Sequence, residues 1–435
     1  MTALKTLTVI LFALAGLSTA FTAAAESLAT NLTPDSAVAT ALAENRDLAA
    51  ARFAIAQAQG RLQQAGLWPN PDWEMSRARE TSFDFNGESK FSTGFKQRFP
   101  ITGRLEKAKA VARVDVAMAM AEIRNQERLL IGEVLNRSRG LLTLQEQLKA
   151  NQEIQDTIRK IIEVSESRLK VAEVSVADVN LAKLELQKVL LARSGLLNQQ
   201  EIATVELNRL LGRDPTSPLQ IIGTVSTNLD RNLLAQATQQ AVSNRPDRQL
   251  AALAVNRADA EIKLARALKW EDWTAGFDYS RDRSLFAAPI GTKVDNFIGV
   301  SISIPLPLWN KNQGRISEAQ ATEQRARAEL DALELRIAME AQSAENQIRR
   351  FLSTLRQYRE ESIKLAEENI ALLQKGYADG LVNITAVIQA QQQLTELRQS
   401  YLEVVAQLSR ALTEWETATA SNPYLATRPQ PEKKP

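Results

Sequence analysis

Three stretches of this chain alternate apolar and polar residues with a period of two, and almost everything else follows a helical period. In the first, Phe91, Thr93, Phe95, Gln97 and Phe99 fall on one side and Ser92, Gly94, Lys96 and Arg98 on the other. In the second, Trp273, Ala275, Phe277 and Tyr279 alternate with Asp272, Thr274, Gly276, Asp278 and Ser280. In the third, Ile298, Val300, Ile302 and Ile304 alternate with Phe297, Gly299, Ser301 and Ser303. Such alternation predicts amphipathic strands. With a partner stretch at about Asp72–Thr81 for the Lys90–Phe99 strand, they form two hairpins, the first with a turn-rich tip at Asp84, Asn86 and Gly87. A helix opens at Thr33-Pro34-Asp35 and runs to about Leu67, where Pro69 and Pro71 end it. No proline interrupts Gly103 to about Ala172, and a helix of about 70 residues would be roughly 105 Å long. Gly314 to about Ala378 is similar, with one internal glycine, Gly376. Ile348, Phe351, Leu355 and Tyr358, and again Leu394, Leu397, Tyr401, Val404 and Leu408, step alternately by three and four, the spacing of a coiled-coil seam. Shorter helices, about Asp178–Leu211 and Ile384–Thr419, return from the breaks.

These elements come in the same order twice, about 200 residues apart. Asn45-Arg46-Asp47-Leu48 is answered by Asn244-Arg245-Pro246-Asp247, and Leu67 to Trp73 by Leu268 to Trp273. Phe91 to Pro100 is answered by Phe297 to Pro305, Gly103-Arg104 by Gly314-Arg315, and Leu169-Lys170-Val171-Ala172 by Tyr377-Ala378-Asp379-Gly380. A duplicated unit implies pseudo-symmetry. The expected organisation is a first repeat over 26–212, a connection over 213–230, a second repeat over 231–420 and a disordered tail over 421–435. Four strands are too few to close a barrel, since the smallest single-chain barrels have about 8. Either the hairpins pack on a soluble core or several chains share one barrel; three chains would give twelve strands.

Composition narrows the chemistry. Lys5, the apolar run Leu7 to Leu17 and Ala23-Ala24-Ala25 read as a signal peptide over 1–25, cleaved near Ala25. The chain has no cysteine, which excludes a lipid anchor and disulfides, and no histidine. The usual zinc and copper ligands are therefore missing, as are Ser-His and Cys-His nucleophile pairs. No enzyme, metal site or cofactor is expected. The 53 basic side chains nearly balance the 51 acidic ones, without the clustered excess of a nucleic-acid binder. No stretch after the leader reaches 18 consecutive apolar residues, so no membrane-spanning helix is expected.

Specific runs carry a resemblance. They are Trp68-Pro69-Asn70-Pro71, Phe99 to Arg104, Arg168 to Asn180, and above all Ile304-Pro305-Leu306-Pro307-Leu308-Trp309-Asn310-Lys311-Asn312-Gln313-Gly314-Arg315-Ile316. In order, spacing and duplication around long helices the chain resembles the TolC-like outer-membrane efflux superfamily, and within it the CzcC-like outer-membrane subunit of cation-efflux systems. The resemblance implies a mainly α fold with a small β-barrel part: a long coiled-coil helical tunnel in the periplasm and four strands per chain in a shared twelve-stranded transmembrane barrel. It implies a homotrimer in outer membrane lipid, with a periplasmic adaptor and an inner-membrane RND-type pump as partners and no nucleic acid. The function implied is a passive duct, for heavy-metal cations in this branch. Export of drugs, other small molecules or polypeptides is the alternative cargo, and a soluble periplasmic coiled-coil scaffold the alternative class.

The breaks between long and returning helices would be the periplasmic tips, with Leu169, Ala172, Asp178, Tyr377, Asp379 and Gly380 as gate candidates. Tyr377 resembles the tyrosine that other members use in the gate network. The aspartates that narrow the mouth elsewhere align with Ala386 and Gln389 here, so Asp178 and Asp379 are the replacements available. Asp178 reads equally as a helix cap and Asp379 as a turn residue. Gly380 suits a left-handed backbone position, which Ala172 would adopt at a cost. Strand alternation makes Lys96, Arg98, Asp272 and Asp278 the barrel-lumen candidates.

Overall fold

The structure, a computed structural model, describes residues 30–80, 88–224, 231–286 and 291–426. The leader over 1–25, the hairpin tip at 84–87, the end of the 213–230 connection and the tail beyond 426 lie outside the described residues. In chain order the strands are β1 Thr30–Leu32, β2 Asp72–Arg79, β3 Ser89–Phe99, β4 Leu219–Ile221, β5 Trp273–Phe286 and β6 Gly291–Ser303. The helices are α1 Pro34–Glu44, α2 Arg46–Ala65, α3 Arg104–Lys170, α4 Val176–Leu210, α5 Arg231–Asn244, α6 Pro246–Ala267, α7 Gln313–Gln357, α8 Lys364–Ala378, α9 Ile384–Thr419 and α10 Pro423–Ala426. Among the described residues no helix is long and apolar enough to cross a membrane.

The structure differs from the sequence reading at four places. The helix expected from Thr33 to Leu67 is broken at Asn45, which is extended and buried; its side-chain amide donates to the Leu210 carbonyl at 2.9 Å. Arg245 is extended in the same way just before Pro246, so Asn45 and Arg245 share a role and Asp47 and Asp247 each enter the first turn that follows. The long second helix is interrupted by a π-helical segment, Tyr358–Ile363, between α7 and α8. The connection after Gly212 contains β4, which pairs in parallel with β1, and Pro423–Ala426 of the expected tail is helical.

The chain forms two compact units, and each takes segments from both repeats. One comprises Met1–Asn45, Glu133–Asn228 and Arg350–Arg410; the other Arg46–Gly132, Leu229–Arg349 and Ala411–Pro435. In the first unit the core joins α3, α4, α8 and α9 through Ile161, Ala182, Ile370, Tyr377, Val387 and Leu394. A second cluster, Ile154, Ile158 and Val189, ties α3 to α4. Beside it buried Asn151 donates to the Val189 carbonyl at 3.2 Å and accepts from Gln155 at 2.7 Å. Polar groups at such core positions fix register, because any slip leaves them unpaired.

In the second unit Ala241, Ile337, Ala341 and Ala418 bring α5, α7 and α9 close. The small residues continue at Gly132, where an added Cβ would lie 2.4 Å from the Thr417 hydroxyl. Nearby is a buried charge cluster. Arg245 donates to Asp247 at 3.0 and 2.5 Å and to Glu340 at 2.5 Å. Arg128 donates to Asn125 and to the Thr417 carbonyl at 2.8 Å and lies 3.7 Å from Asp247. The unit also carries the four-stranded antiparallel sheet, in the order β2-β3-β5-β6.

Candidate functional site

Two regions hold the candidate residues. At the helical tip, α3 ends with Ala172 at φ +60, where the Ala172 N–H donates to the Leu169 carbonyl and the Glu173 N–H to the Arg168 carbonyl. The end of α8 repeats this turn. Gly380 stands at φ +75, its N–H donates to the Tyr377 carbonyl, and the Leu381 N–H donates to the Gly376 carbonyl. The bonding is that of a left-handed helix stop, which glycine adopts freely and alanine does not. Ala172→Gly should therefore stabilise the first turn by about 1 kcal/mol, read as slower hydrogen exchange at the Glu173 amide. Equal or faster exchange would mean that the alanine carries no strain.

Tyr377 is buried in the tip core. Its hydroxyl lies 3.1 Å from Ser165 Oγ, which donates to the Ile161 carbonyl at 2.7 Å, so Tyr377 donates to Ser165. Arg168 covers the tyrosine ring at 4.8 Å from its centroid, donates to the Tyr377 carbonyl and donates to Glu173 at 2.9 Å. Arg168, Ser165 and Glu173 were not among the gate candidates read from the sequence, although Arg168 and Glu173 lie in the run that carries the resemblance. Asp178 sits in a capping box: the Ser175 N–H and hydroxyl both donate to its Oδ2, at 3.0 and 2.7 Å, and its own N–H donates to Ser175 Oγ. Those bonds from the Ser175 side chain and backbone hold the Asp178 carboxyl below the usual aspartate range. Asp178 is thus the N3 partner of the Ser175 cap, and it remains a half-buried anion. Asp379 is the exposed C-cap that follows α8, with its N–H donated to the Lys375 carbonyl.

The sheet divides by face. Cross-strand register puts Glu74, Lys96, Asp278 and Ser301 on one side. The other side carries Trp73, Phe95, Phe277, Ile298, Val300 and Ile302, all exposed, Val300 at 77%. On the polar side Lys96 pairs with Glu74 at 2.6 Å, and Arg98 lies 3.8 Å from Asp72. Asp278 stands between Gly94 and Gly299; a Cβ at either position would come within 3.0 Å of its side chain. Asp272 lies just outside β5, where Arg104 at the start of α3 grips both carboxylate oxygens. Phe297 is an exposed apolar residue on the polar side.

Residues 37–213 and 237–421, most of the chain, match the outer membrane efflux protein family. The chain belongs to that family. It is a channel protein and not an enzyme, and its fold is that of the TolC-like channels, mostly helical with a sheet that stays open within one chain. This efflux-family chain is 24% identical over 184 residues to the cobalt-zinc-cadmium resistance protein CzcC of Cupriavidus metallidurans. That likeness covers 41% of this chain and 44% of the relative, so less than half of either. Among solved structures it superposes on CusC with a TM-score of 0.72 at 18% identity, over 89% of this chain and 92% of that one. VceC of Vibrio cholerae gives a TM-score of 0.70 at 17% identity, over 89% and 95%. Within the efflux-family fold, Leu169, Ala172, Asp178, Tyr377, Asp379 and Gly380 gather at the two turns of the first unit. Lys96, Arg98 and Asp278 share the polar face of the sheet in the second, while Asp272 is committed to Arg104 at its border.

Proposed function

We propose that three copies of this chain close one twelve-stranded barrel and form the duct of a tripartite efflux system. The observation that carries this reading is the sheet with one exposed apolar face and one polar face, whose edge strands β2 and β6 have no further partner among the described residues. Open edges leave backbone groups unpaired, which hydrocarbon does not tolerate, and copies of the chain would remove both edges. Lys96, Arg98 and Asp278 would then line the pore. Lys96 and Arg98 are largely neutralised by Glu74 and Asp72, so Asp278, which has no cation within bonding reach among the described residues, would set the sign of the potential there.

The turns at Leu169–Ala172 and Tyr377–Gly380 would form the periplasmic mouth, with Tyr377 and Arg168 holding it shut and Asp178 and Asp379 adding carboxylates to its rim. A periplasmic adaptor and an inner-membrane RND-type pump would meet the duct at this mouth. The segment 1–25 would direct export. The cargo we favour is a divalent heavy-metal cation, on the likeness to CzcC.

A strain lacking the protein tests this directly, grown on zinc, cadmium, cobalt, nickel, copper and silver with hydrophobic drugs and bile salts alongside. Selective sensitivity to one or two metals, restored by the gene, is the expected result. Sensitivity to the organic compounds alone would sink the cation reading, and recovery of the protein in the soluble fraction would sink the duct itself.

A further inference from the structure

The apolar face of the sheet does not stay apolar to its end. Counting rows away from the helices, the first carries Phe99 and Trp273, and the rows up to Met75, Thr93, Tyr279 and Ile298 hold no charged residue. The next row is Arg77, Phe91, Arg281 and Asn296, and the one after carries Arg79 and Arg283. Four arginines therefore close an uncharged band, on the same side of the sheet and on adjacent rungs. No carboxylate shares that face within these rows. The opposite face at the same height carries both signs, with Lys293 and Asp295 paired at 3.1 Å. Arg77, Arg281 and Arg283 are exposed, and no hydrogen bond or ion pair of their side chains is made among the described residues, so the sheet is held there by its backbone ladder and not by these guanidiniums.

The height of these rows is informative. Trp273 and Arg281 are eight residues apart on β5. That is about 27 Å along a strand, or about 21 Å along the membrane normal at the usual ~40° tilt, so the arginines begin where a hydrocarbon band of ~25 Å gives way to headgroups. They sit at the hairpin ends, away from the helices, which would be the outer leaflet. A guanidinium in that layer meets phosphate, whose oxygens match its paired N–H groups. We propose that Arg77, Arg281 and Arg283, with Arg79 in the same rows, bind the phosphate groups of anionic lipid in the outer leaflet, once per subunit around the barrel. The belt rests on the proposed barrel, and its experiment separates the two.

Wild type, the triple variant Arg77→Gln, Arg281→Gln, Arg283→Gln and the control Lys90→Gln, Lys293→Gln would be extracted from membranes and passed through micelles doped with phosphatidylglycerol or phosphatidylcholine. Retained lipid is counted by mass spectrometry. At about fivefold per basic group near an anionic surface, the wild-type preference for phosphatidylglycerol should fall on the order of 100-fold in the triple variant. It should persist in the control, which removes the same kind of charge from the polar face. Equal loss in the control would reduce the effect to net charge and overturn the belt. Displacement of the lipid by millimolar inorganic phosphate would also overturn it, as a plain anion site. If the triple variant fails to assemble, Arg283→Gln alone at the outermost row should still lower retention about fivefold, and an unchanged value would count against the belt. Wild type that sediments with membranes but shows no lipid preference sinks the belt alone; wild type that stays soluble sinks the barrel.

Discussion

Replacing Asp247 with alanine should destabilise the sheet-bearing unit by about 3–5 kcal/mol, the usual effect of removing one partner from a buried ion pair. Among the described residues Asp247 is the carboxylate that lies within 4.0 Å of both Arg245 and Arg128, whose side chains are only 6% exposed. Without it two buried guanidiniums face each other with Glu340 alone to balance them. The Arg128 environment records the tension: burial first and the charge of Arg245 second push its pKa down, against the attraction of Asp247 and Glu340. Helical circular dichroism on heating should show a midpoint lower by on the order of 10 °C for a unit of this size. Glu340→Ala, whose side chain is 45% exposed, should change little. Equal small effects from both variants would overturn the account.

The same cluster fixes a pH dependence. Burial alone would raise the Asp247 carboxyl, but hydrogen bonds from Arg245 and the charges of Arg245 and Arg128 outweigh it and leave the pKa below the ordinary 3.8. A depressed carboxylate contributes stability that is fully present above its unfolded pKa and is lost as pH falls through the folded one. The contribution of Asp247 should therefore be constant from pH 5 to 8 and disappear only in acid below about 3.8.

Legibility followed the physics of each element. The strands could be read because alternation assigns every residue to a face, and the observed register keeps Phe95 and Phe277 on one side and Lys96 and Asp278 on the other. The π-helical segment was missed, although its trace is in the spacing. Ile348 and Leu355 are seven apart, as are Ile363, Ile370 and Tyr377, but Leu355 to Ile363 is eight. One extra residue in a seven-residue rhythm must be absorbed somewhere, and a wider turn is how a helix absorbs it without breaking. Reading proline and glycine alone cannot detect that. The break at Asn45 was missed for a different reason. Nothing local forbids helix there; the cause is a carbonyl at Leu210, 165 residues away.

At the tip, the left-handed stops at Ala172 and Gly380 could be anticipated because the repeat aligned them and glycine occupied one. Arg168 could not be. Its partners, the ring and carbonyl of Tyr377, are 209 residues distant, and its repeat counterpart is Gly376, so neither spacing nor symmetry marks it. Asp178 exposes the limit of charge alone as a guide, since its carboxylate does the work of a cap while remaining ionised.

Val300→Arg should prevent assembly in the membrane, while Ser301→Arg, one residue on, should not. Val300 shares its row with Trp73, Phe95 and Phe277 in the middle of the uncharged band. A charge facing lipid at mid-depth costs about 2–4 kcal/mol per chain, and a trimer would bear it three times. The native arginines begin two rows further out, where the guanidinium meets headgroups and not hydrocarbon. Ser301 points to the polar face opposite Gly276, which leaves room for a longer side chain, and Asp278 lies two residues along the neighbouring strand to balance its charge. Trimer resisting urea extraction from outer-membrane pellets should drop tenfold or more for Val300→Arg and stay within about twofold for Ser301→Arg. The reverse pattern would put the polar face against lipid and remove Lys96, Arg98 and Asp278 from the pore. Indifference to both substitutions would mean that the sheet does not enter the bilayer.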